Sequence, residues 1–548
     1  MSPLTLHFIQ RLLLAASFWT LIAMLLSYLS HLREAKMNRK LLLRRIELLD
    51  NSLDDHLIAA LWKKRLNETL QQFDWKSSSK SISDKDILEM ASQSSNLPLF
   101  YQKKSKWDAP KNKKIKCLSP PSIYDLDFNN VYWQRMKQGN ASFYLYNAYI
   151  DRRVGVGKAP LVRIIAMIDK VIPPTSFCKF WYHSKNVSKL VENTFVKSSY
   201  TYMWYDKWGN YKDGILQPYL ISCPVQDWSI IPDSVSIVSE NCEKITNNLR
   251  VIYNKPKIRK DFAVCVKGLD FLFKDISVRL VEWIELLNIL GAKKIYFYQL
   301  EVHPNISKVL YYYEKQGLVE VIPLTLPGRQ PNLPGFRHLY LKSKLVNKRQ
   351  NELIPYNDCL YKNLYSYKFV SLLDIDEVIM PLKHENWNAL IRDMLFVLND
   401  RDFMTASFNF RNVYFFDELQ DGKEMSHVAH KQGIPQYLHM MQHVYRSKIY
   451  NRPGSYVKCF HNVDKVVSLH NHFPLNCFGQ CLTHDVNTSL GHLQHYRKDC
   501  VDPLQKNCKE FKRFAERDTS IWRFKERIIR KTTEALVDLN FLTDFESK

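Results

Sequence analysis

Residues 369–377 read FVSLLDIDE, five apolar or small residues that lead directly into a group of three carboxylates. The apolar run predicts a buried β-strand. Carboxylates at the edge of a core are costly unless they are solvated, paired or bound to a cation. Extended backbone would put Asp374 and Asp376 on the same side, because strand side chains alternate with a period of two. Two carboxylates placed in this way suit a divalent ion that keeps waters and bridges phosphate oxygens.

Upstream of this stretch, strand patterns alternate with helix patterns. The predicted elements are strands 262–266, 294–298 and 318–322 and helices 277–290 and 306–316. A glycine follows each helix, Gly291 and Gly317, as is common at helix C termini. Such alternation predicts a parallel sheet built from βαβ units, in which ligands bind at the carboxyl ends of the strands.

The whole chain has 548 residues, of which 46% are hydrophobic and 13% aromatic. This length allows about three domains, and the composition argues against a disordered or fibrous chain. Lysine and arginine number 78 against 55 aspartates and glutamates, a net charge of +23. That excess first suggests nucleic acid or an anionic membrane surface as a partner.

Residues 12–30 form an uncharged run of 19 residues, about the length that crosses a hydrocarbon core. We predict a short cytoplasmic tail over residues 1–11 and a transmembrane signal-anchor over residues 12–31. A long cleaved signal peptide is the alternative, although no A-x-A site follows the run. Six basic residues between 33 and 45 favour a cytosolic remainder, whereas five N-x-[ST] sequons have meaning only in the secretory lumen. The pattern leaves the orientation open.

The rest of the chain divides into regions that differ in composition and in the spacing of apolar residues. Leucines at helical spacing among charged residues, followed by a Ser- and Lys-rich stretch, predict a stem and basic linker over residues 32–116. A basic helix on a membrane surface is the alternative for the stem. Short aromatic and β-branched runs predict a small β-rich part over residues 117–256. The α/β region then covers residues 257–510, and a helical segment covers residues 511–548.

Further motifs surround residues 373–381 (LDIDEVIMP) in a fixed order. They are residues 147–153 (NAYIDRR), 264–268 (VCVKG), 281–285 (VEWIE), 291–295 (GAKKI), 356–361 (YNDCLY) and 493–497 (LQHYR). Together these segments resemble glycosyltransferase family 92, a GT-A-fold family of Golgi type II membrane enzymes. Asn147 departs from the serine that is usual in the family.

The resemblance implies an α/β fold whose GT-A-like nucleotide-sugar-binding domain has a mixed, mostly parallel sheet. It implies inverting transfer of a sugar, expected to be galactose, from a UDP-sugar donor to a glycan acceptor on glycoproteins or glycolipids. It further implies a single-pass type II protein of the Golgi membrane with a lumenal catalytic domain. The implied cofactor is a divalent metal, expected to be Mn²⁺, which would offset charge on the departing UDP.

The resemblance also suggests roles for individual residues. By match to the D-x-D motif, Asp374 would contact the nucleotide ribose or the metal, and Asp376 would ligate the metal. Enzymes of this fold often add a late histidine ligand, and His495 in the H-Y-R segment is the candidate.

Other candidates are less specific. Lys267, Glu282 and Asp358 are candidate nucleotide-sugar-binding residues, with turn, helix-surface and capping or pairing roles as their alternatives. An inverting displacement also needs a general base near the acceptor hydroxyl. Asp417 and Glu418, which follow a strand-like run, are the candidates, and ordinary loop acids are the alternative.

Two competing sites lie near the C terminus. Cys477 and Cys481, with histidines nearby, would suit structural zinc, but a lumenal location favours one or two disulfides there and leaves Cys265 as a buried free thiol. The basic, aromatic-containing residues 497–531 would suit RNA, but their acidic residues and helical spacing favour a solvated helix. We therefore expect no nucleic-acid partner. A non-catalytic lumenal glycan-binding protein that retains the GT-A fold is the alternative to the enzyme.

Overall fold

The computed structural model describes residues 96–102, 119–157, 159–182, 195–226, 228–399, 404–420, 429, 431–500 and 505–542. The predicted tail and anchor lie outside the described residues, as does the predicted stem and linker apart from residues 96–102. None of the helices within the described ranges combines the length and the hydrophobicity needed to cross a membrane.

The first sheet contains ten strands and lies wholly within the stretch predicted to be β-rich. Its strands are β1 (Phe128–Asn130), β2 (Trp133–Gln138), β3 (Ala141–Asp151), β4 (Leu161–Ile168), β5 (Phe177–Trp181), β6 (Phe195–Lys197), β7 (Ser199–Tyr202), β8 (Gln217–Pro224), β9 (Ser234–Val238) and β10 (Leu249–Ile252). The order is β6-β5-β9-β10-β3-β4-β8-β7, with β2 pairing to β3 and β1 to β2. All pairs are antiparallel except β10 with β3.

The remaining strands and helices follow in chain order. The strands are β11 (Lys260–Phe271), β12 (Ala292–Val302), β13 (Val319–Pro323), β14 (Tyr367–Leu372), β15 (Glu377–Pro381), β16 (Ser407–Phe410), β17 (Asn412–Phe416), β18 (Tyr445–Ser447), β19 (Lys458–Asn462), β20 (Val466–Leu469), β21 (Pro474–Cys477), β22 (Thr483–Asp485), β23 (Gly491–Arg497) and β24 (Ala515–Arg517). The helices are α1 (Ser277–Leu290), α2 (Pro304–Lys315), α3 (Pro334–Ser343), α4 (Leu345–Lys362), α5 (Trp387–Val397), α6 (His439–Gln442), α7 (Gln505–Arg513) and α8 (Lys525–Asp538).

The second sheet has seven strands in the order β13-β12-β11-β14-β19-β16-β22. The first four are mutually parallel, as the alternation of strands and helices predicted. β19 runs antiparallel to both of its neighbours, β14 and β16, and β22 is parallel to β16. The sheet is therefore mixed and mostly parallel, and the α/β prediction is confirmed at this level.

Helix α1 is the central helix on one face of this sheet. Most of its residues are buried, because it lies between the sheet and helix α8. The indole N–H of Trp283 donates to the carbonyl of Glu377 at 2.9 Å, which ties α1 to the first residue of β15. The helix ends at Gly291, whose φ of 122° a residue with a side chain would adopt only with strain. The predicted bounds of this helix are confirmed.

Strand β11 is buried on both faces, and its alternating side chains enter two different cores. Val264 and Val266 pack with α1, whereas Ala263 and Cys265 pack with α4. Cys265 there forms a disulfide with Cys359, so the prediction of a free thiol at Cys265 was wrong. Strand alternation turns this thiol towards the helix that carries its partner.

Three further disulfides join described cysteines: Cys178–Cys223, Cys477–Cys481 and Cys500–Cys508. The last two confirm the expectation of one or two disulfides near the C terminus, and the Cys477–Cys481 bond excludes both thiols as zinc ligands. Among the described cysteines, Cys459 is the free one, and it is buried.

The two sheets are joined through helix α4 and through polar contacts. Residues of β3, β4, β8, β11 and α4 share one hydrophobic core. Arg153 is buried, pairs with Asp151 at 2.8 Å and donates to the carbonyl of Val466 at 2.6 Å. The indole N–H of Trp133 donates to the carbonyl of Thr325 at 2.9 Å. The β-rich part is therefore bonded directly to the α/β region.

Candidate active site

A cavity of about 1080 Å³ opens at the carboxyl ends of β11 and β14. Its lining comes from the end of β11, from helices α3 and α4, from the turn after β14, from the loop between β20 and β21 and from the end of β23. Trp204 and Trp208 of the β-rich part also line it. This is the edge of a parallel sheet at which ligands are expected.

The D-x-D segment lies in a turn. β14 ends at Leu372, and the amide of Glu377 donates to the carbonyl of Asp374 at 3.0 Å to close the turn into β15. The expectation of extended backbone at Asp374 and Asp376 was therefore wrong. The turn is held further by the amide of Asp374, which donates to the Glu377 carboxylate at 2.9 Å. The two aspartates consequently have different partners.

Asp374 is held by lysines. Lys267 Nζ lies 3.1 Å from Asp374 Oδ1 and 3.2 Å from its Oδ2, and Lys458 Nζ lies 3.7 Å from Oδ2. Burial alone would raise the pKa of Asp374, but the two ammonium groups outweigh it and hold that pKa well below its usual range. Lys267 is 27% exposed and lines the cavity, so its charge faces the space in which a ligand would bind.

Lys458 is a residue that the sequence interpretation missed. Its side chain is completely buried, and its ammonium lies 3.1 Å from Glu377 Oε2 and 2.5 Å from Asn471 Oδ1. It therefore neutralises Glu377 as well as Asp374. The available signal was a lysine at the start of an apolar strand, KCFHN, but that strand pairs with β14 from a distant part of the chain.

Asp376 and His495 come together as the motifs suggested. His495 Nε2 lies 3.4 Å from Asp376 Oδ2, and β15 and β23 pair so that Glu377 is directly opposite His495. The amide of Tyr496 donates to the carbonyl of Asp376 at 2.8 Å. Burial raises the pKa of Asp376, but His495 outweighs it and lowers that pKa.

This pair suits a divalent metal better than the two aspartates together do. Both oxygens of Asp374 already face Lys267, whereas the Asp376 side chain is 41% exposed. Adjacent ligands about 2.1 Å from one ion lie roughly 3 Å apart, close to the spacing found between Asp376 and His495. His495 Nδ1 contacts Asn412 Nδ2 at 3.1 Å, which fixes the imidazole ring. Asp376 and His495 could therefore hold a metal and leave positions for phosphate and water.

Glu282 does not line the cavity. It is completely buried in α1, where its oxygens accept hydrogen bonds from the backbone amides of Met440 and Met441, each at 3.0 Å. Burial outweighs these hydrogen bonds and raises the pKa of Glu282 to about 7. Because His439 and Met440 do line the cavity, Glu282 supports its wall from behind.

Asp358 also lies away from the cavity. It is 1% exposed and accepts hydrogen bonds from the hydroxyls of Tyr298 and Tyr149, at 2.6 and 2.7 Å, and from the Asn147 amide at 2.7 Å. Burial raises the pKa of Asp358 although these donors oppose it. The structure thus places Asp358 between the two sheets, in the pairing role that was its alternative interpretation.

The two candidate bases have different surroundings. Asp417 begins the 3₁₀ turn Asp417–Gln420 after β17, and its Oδ1 lies 2.9 Å from His443 Nε2. That hydrogen bond lowers the pKa of Asp417, while burial lowers the pKa of His439 to about 3. Ligand atoms of Asp417, His439 and His443 all lie within 4.8 Å of one another, and His439 lines the cavity. Glu418 instead points to solvent and pairs with Lys512.

Two chemically different groups of residues line the cavity, and we refer to them as its basic wall and its aromatic wall. The basic wall carries Lys274, Arg279, Lys342, Lys348 and Arg349. The aromatic wall consists of Trp204, Trp208, Tyr456, His470, His472 and Phe473. The sequence interpretation missed the aromatic wall, whose only local signal was the pair of tryptophans in MWYDKWG of the β-rich part.

Sequence comparisons identify the family of the α/β region. Residues 260–532 match the model of glycosyltransferase family 92, so the resemblance inferred from the motifs is confirmed. The NAYIDRR motif lies outside the matched range. Beta-1,4-galactosyltransferase galt-1 of Caenorhabditis elegans is 30% identical over 122 residues, which are 22% of this chain and 25% of that protein. The match to this relative therefore covers about a quarter of its length.

Proposed function

Residues 260–532 belong to glycosyltransferase family 92, and from this premise we propose that the protein is a metal-dependent, inverting glycosyltransferase with a GT-A fold. It would transfer a sugar, with galactose as the first candidate, from a UDP-sugar to a glycan acceptor. The observation that carries the proposal is the Asp376–His495 pair, which lies beside a lysine-held Asp374 at the edge of the cavity. The partial match to a galactosyltransferase supports galactose.

In this proposal Asp376 and His495 would hold the metal, expected to be Mn²⁺. When bound, the ion would supply positive charge to the diphosphate and so favour departure of UDP. Asp374 would meet the ribose side of the nucleotide or the metal, and Lys267 beside it would face the diphosphate. The basic wall would attract an anionic donor into the cavity.

The transfer itself would be a single displacement. The acceptor hydroxyl oxygen would form a bond to the anomeric carbon while the bond from that carbon to UDP breaks and leaves its electron pair on the diphosphate. The hydroxyl proton must pass to a base. We propose Asp417 rather than Glu418, because His443 orients the Asp417 carboxylate beside the cavity-lining His439, whereas Glu418 is paired with Lys512.

We further propose that the protein lies in the Golgi membrane as a single-pass type II protein, held through the signal-anchor predicted over residues 12–31, with the catalytic part in the lumen. Disulfides form and persist in oxidising compartments, and the described residues contain four of them. Endoglycosidase treatment of the expressed protein would test the orientation: we expect a decrease in mass, and an unglycosylated chain would contradict lumenal placement.

The function is tested with detergent-solubilised full chain, a panel of UDP-sugars that includes UDP-galactose, and a panel of N-glycans, with Mn²⁺ and with EDTA. We expect transfer and UDP release that depend on the metal. Absence of transfer and of UDP release with every UDP-sugar would contradict the enzyme. Glycan binding without any UDP release would instead support the non-catalytic glycan-binding protein.

A further inference from the structure

The aromatic wall is a cluster of rings that contact one another in tilted or edge-to-face arrangements. The ring centroids of Trp208 and His470 are 4.6 Å apart, those of His470 and Phe473 are 4.8 Å apart, and those of Trp204 and Trp208 are also 4.8 Å apart. Trp208, His470 and Phe473 are each partly exposed, although large aromatic side chains usually gain stability from full burial. A partly exposed cluster of this kind inside a cavity is typical of a binding surface.

The loop that carries the tryptophans is fixed. The Trp204 indole donates to the carbonyl of Gly209 at 3.0 Å. The Asn210 amide donates to Asn347 at 3.2 Å and to Gln350 at 3.0 Å, and both of these residues lie on α4. The loop therefore keeps Trp208 at the cavity without help from a ligand, which lowers the entropy cost of binding.

The histidines of this wall are uncharged at neutral pH. Burial, with a further contribution from Lys458, lowers the pKa of His470 to about 4 and that of His472 to about 3. Both rings are therefore neutral, and the ring of His470 contacts the indole of Trp208. Within the described part of the chain, the Trp208 indole N–H makes no hydrogen bond, so this donor is available to a ligand.

The wall is connected to the D-x-D turn by two hydrogen-bonded side chains. Asn471, between His470 and His472, accepts from Lys458 Nζ at 2.5 Å and from the Tyr356 hydroxyl at 2.9 Å. Lys458 in turn contacts Asp374 at 3.7 Å. A ligand on the aromatic wall would consequently lie beside the group that binds the nucleotide sugar, in the same cavity.

We propose that the aromatic wall, with Trp208 at its centre, is a carbohydrate subsite that stacks on the apolar face of a pyranose ring. One face of a pyranose presents mainly C–H groups while its hydroxyls point outwards, which matches neutral ring faces next to an indole N–H. The sugar would be either the transferred sugar of the donor or a residue of the acceptor glycan. The inference rests on the proposed function for its setting, and it assigns part of the sugar recognition to the β-rich part, outside residues 260–532.

The experiment compares full-length wild type with Trp208→Ala, Trp208→Phe and Tyr211→Ala. Tyr211 is the matched control, because it is a 46% exposed aromatic residue near Trp208 that does not line the cavity. The measurements are the KM for UDP-galactose, the KM for the glycan acceptor, the affinity for UDP in the presence of Mn²⁺, and binding of the N-glycan panel without nucleotide.

We expect Trp208→Ala to raise the KM for one sugar substrate about tenfold, the size of effect typical for loss of a central aromatic contact. Trp208→Phe should recover part of the loss, and Tyr211→Ala should behave as wild type. An effect on the acceptor KM and on glycan binding identifies the acceptor as the ligand, and an effect on the UDP-galactose KM alone identifies the donor sugar. UDP affinity should stay within about twofold of wild type in every variant.

Two results would overturn the subsite. One is unchanged KM values and glycan binding in Trp208→Ala, and the other is an equal loss of affinity for UDP itself, which would mean that the wall stacks on the nucleobase. Failure of the proposed function is separate, since it would show as absence of UDP release in wild type. In that case glycan binding by wild type and Trp208→Ala still decides the subsite, and absence of all glycan binding rejects it.

Discussion

Two pairs of carboxylates, all four of them site residues predicted from the sequence, differ in their partners in the structure. Asp374 and Asp376 lie in the turn between β14 and β15, where lysines hold the first and His495 contacts the second. Glu282 and Asp358 lie inside helices α1 and α4, where only uncharged donors reach them. The pKa values of the first pair are lowered, and those of the second pair are raised.

The difference shows what burial does to a carboxylate. Burial alone favours the protonated form, and hydrogen bonds from amides and hydroxyls do not overcome it at Glu282 or Asp358. Lys267 and Lys458 together reverse the sign at Asp374. Lys458 alone does not reverse it at Glu377, where burial and the neighbouring Asp374 charge keep the pKa raised. Only an ionised carboxylate can ligate a metal, so the exposed Asp376 is suited to metal binding, whereas Glu282 and Asp358 are suited to holding the core together.

The largest expected effect is on Asp376. Asp376→Asn removes the charge of a proposed metal ligand, and we expect kcat/KM to fall by about 10²–10³-fold because charge on the departing UDP is no longer offset. Stability should change little, since the side chain is 41% exposed. Steady-state transfer and thermal unfolding are the measurements. Activity within threefold of wild type would remove the metal assignment of Asp376.

A substitution at Lys458 tests whether a buried cation is needed to keep carboxylates charged in the D-x-D turn. Lys458→Met leaves Glu377 buried and deprives Asp374 of one of its two ammonium partners, so we expect a loss of about 3–5 kcal/mol in the free energy of unfolding. Transfer activity should also decrease. The control is Lys448→Met at an exposed lysine. Equal unfolding midpoints in urea for the two variants would show that Lys458 is not needed to neutralise the turn.

The raised pKa of Glu282 should make the free energy of unfolding depend on pH. Its pKa is raised from 4.5 to about 7 in the folded protein, so the folded state binds more protons than the unfolded state between these values. Its contribution to stability is therefore complete below about pH 4.5 and is lost as the pH rises to about 7, by roughly 3 kcal/mol. Urea unfolding at pH 5 and pH 7.5 measures it. The decrease in the free energy of unfolding between pH 5 and pH 7.5 should be smaller in Glu282→Gln than in wild type. An equal decrease in the two proteins would contradict the raised pKa of Glu282.

Asp358 should give the smallest effect. Asp358→Asn keeps the shape but weakens the acceptor for two tyrosine hydroxyls and the Asn147 amide, and we expect a loss of about 1–3 kcal/mol in stability. The KM for the UDP-sugar should not change, because Asp358 does not line the cavity. A severalfold rise in that KM, with stability unchanged, would instead support Asp358 as a nucleotide-sugar-binding residue.

Local pattern was sufficient for much of the fold. The helix at Ser277–Leu290 lies where periodicity put it, because an apolar helical pattern that stops at Gly291 determines it. The motifs also brought His495 to Asp376, although the pairing of β15 with β23 joins residues more than a hundred positions apart. A family resemblance carries such long-range information, whereas periodicity does not.

The missed features depend on contacts between distant segments. Lys458 becomes part of the site because β19 pairs with β14, and Trp208 because its loop is bonded to α4. Cys265 finds Cys359 through the same helix. The turn at Asp374 was missed for a different reason: an apolar strand gives no local signal of the position at which it stops. The roles of Lys458, Trp208 and Cys265 therefore cannot be predicted from about ten neighbouring residues alone.

The Asp358 cluster also bears on which part of the gene product can stand alone. The family match begins at residue 260, but Asp358 accepts hydrogen bonds from Asn147 and Tyr149 of β3. A fragment that began at residue 260 would leave this carboxylate facing a sheet that is missing, next to an open hydrophobic surface on α4. The range that matches the family model is thus smaller than the set of residues that pack together, and we expect a fragment limited to residues 260–532 to be less stable than the full chain.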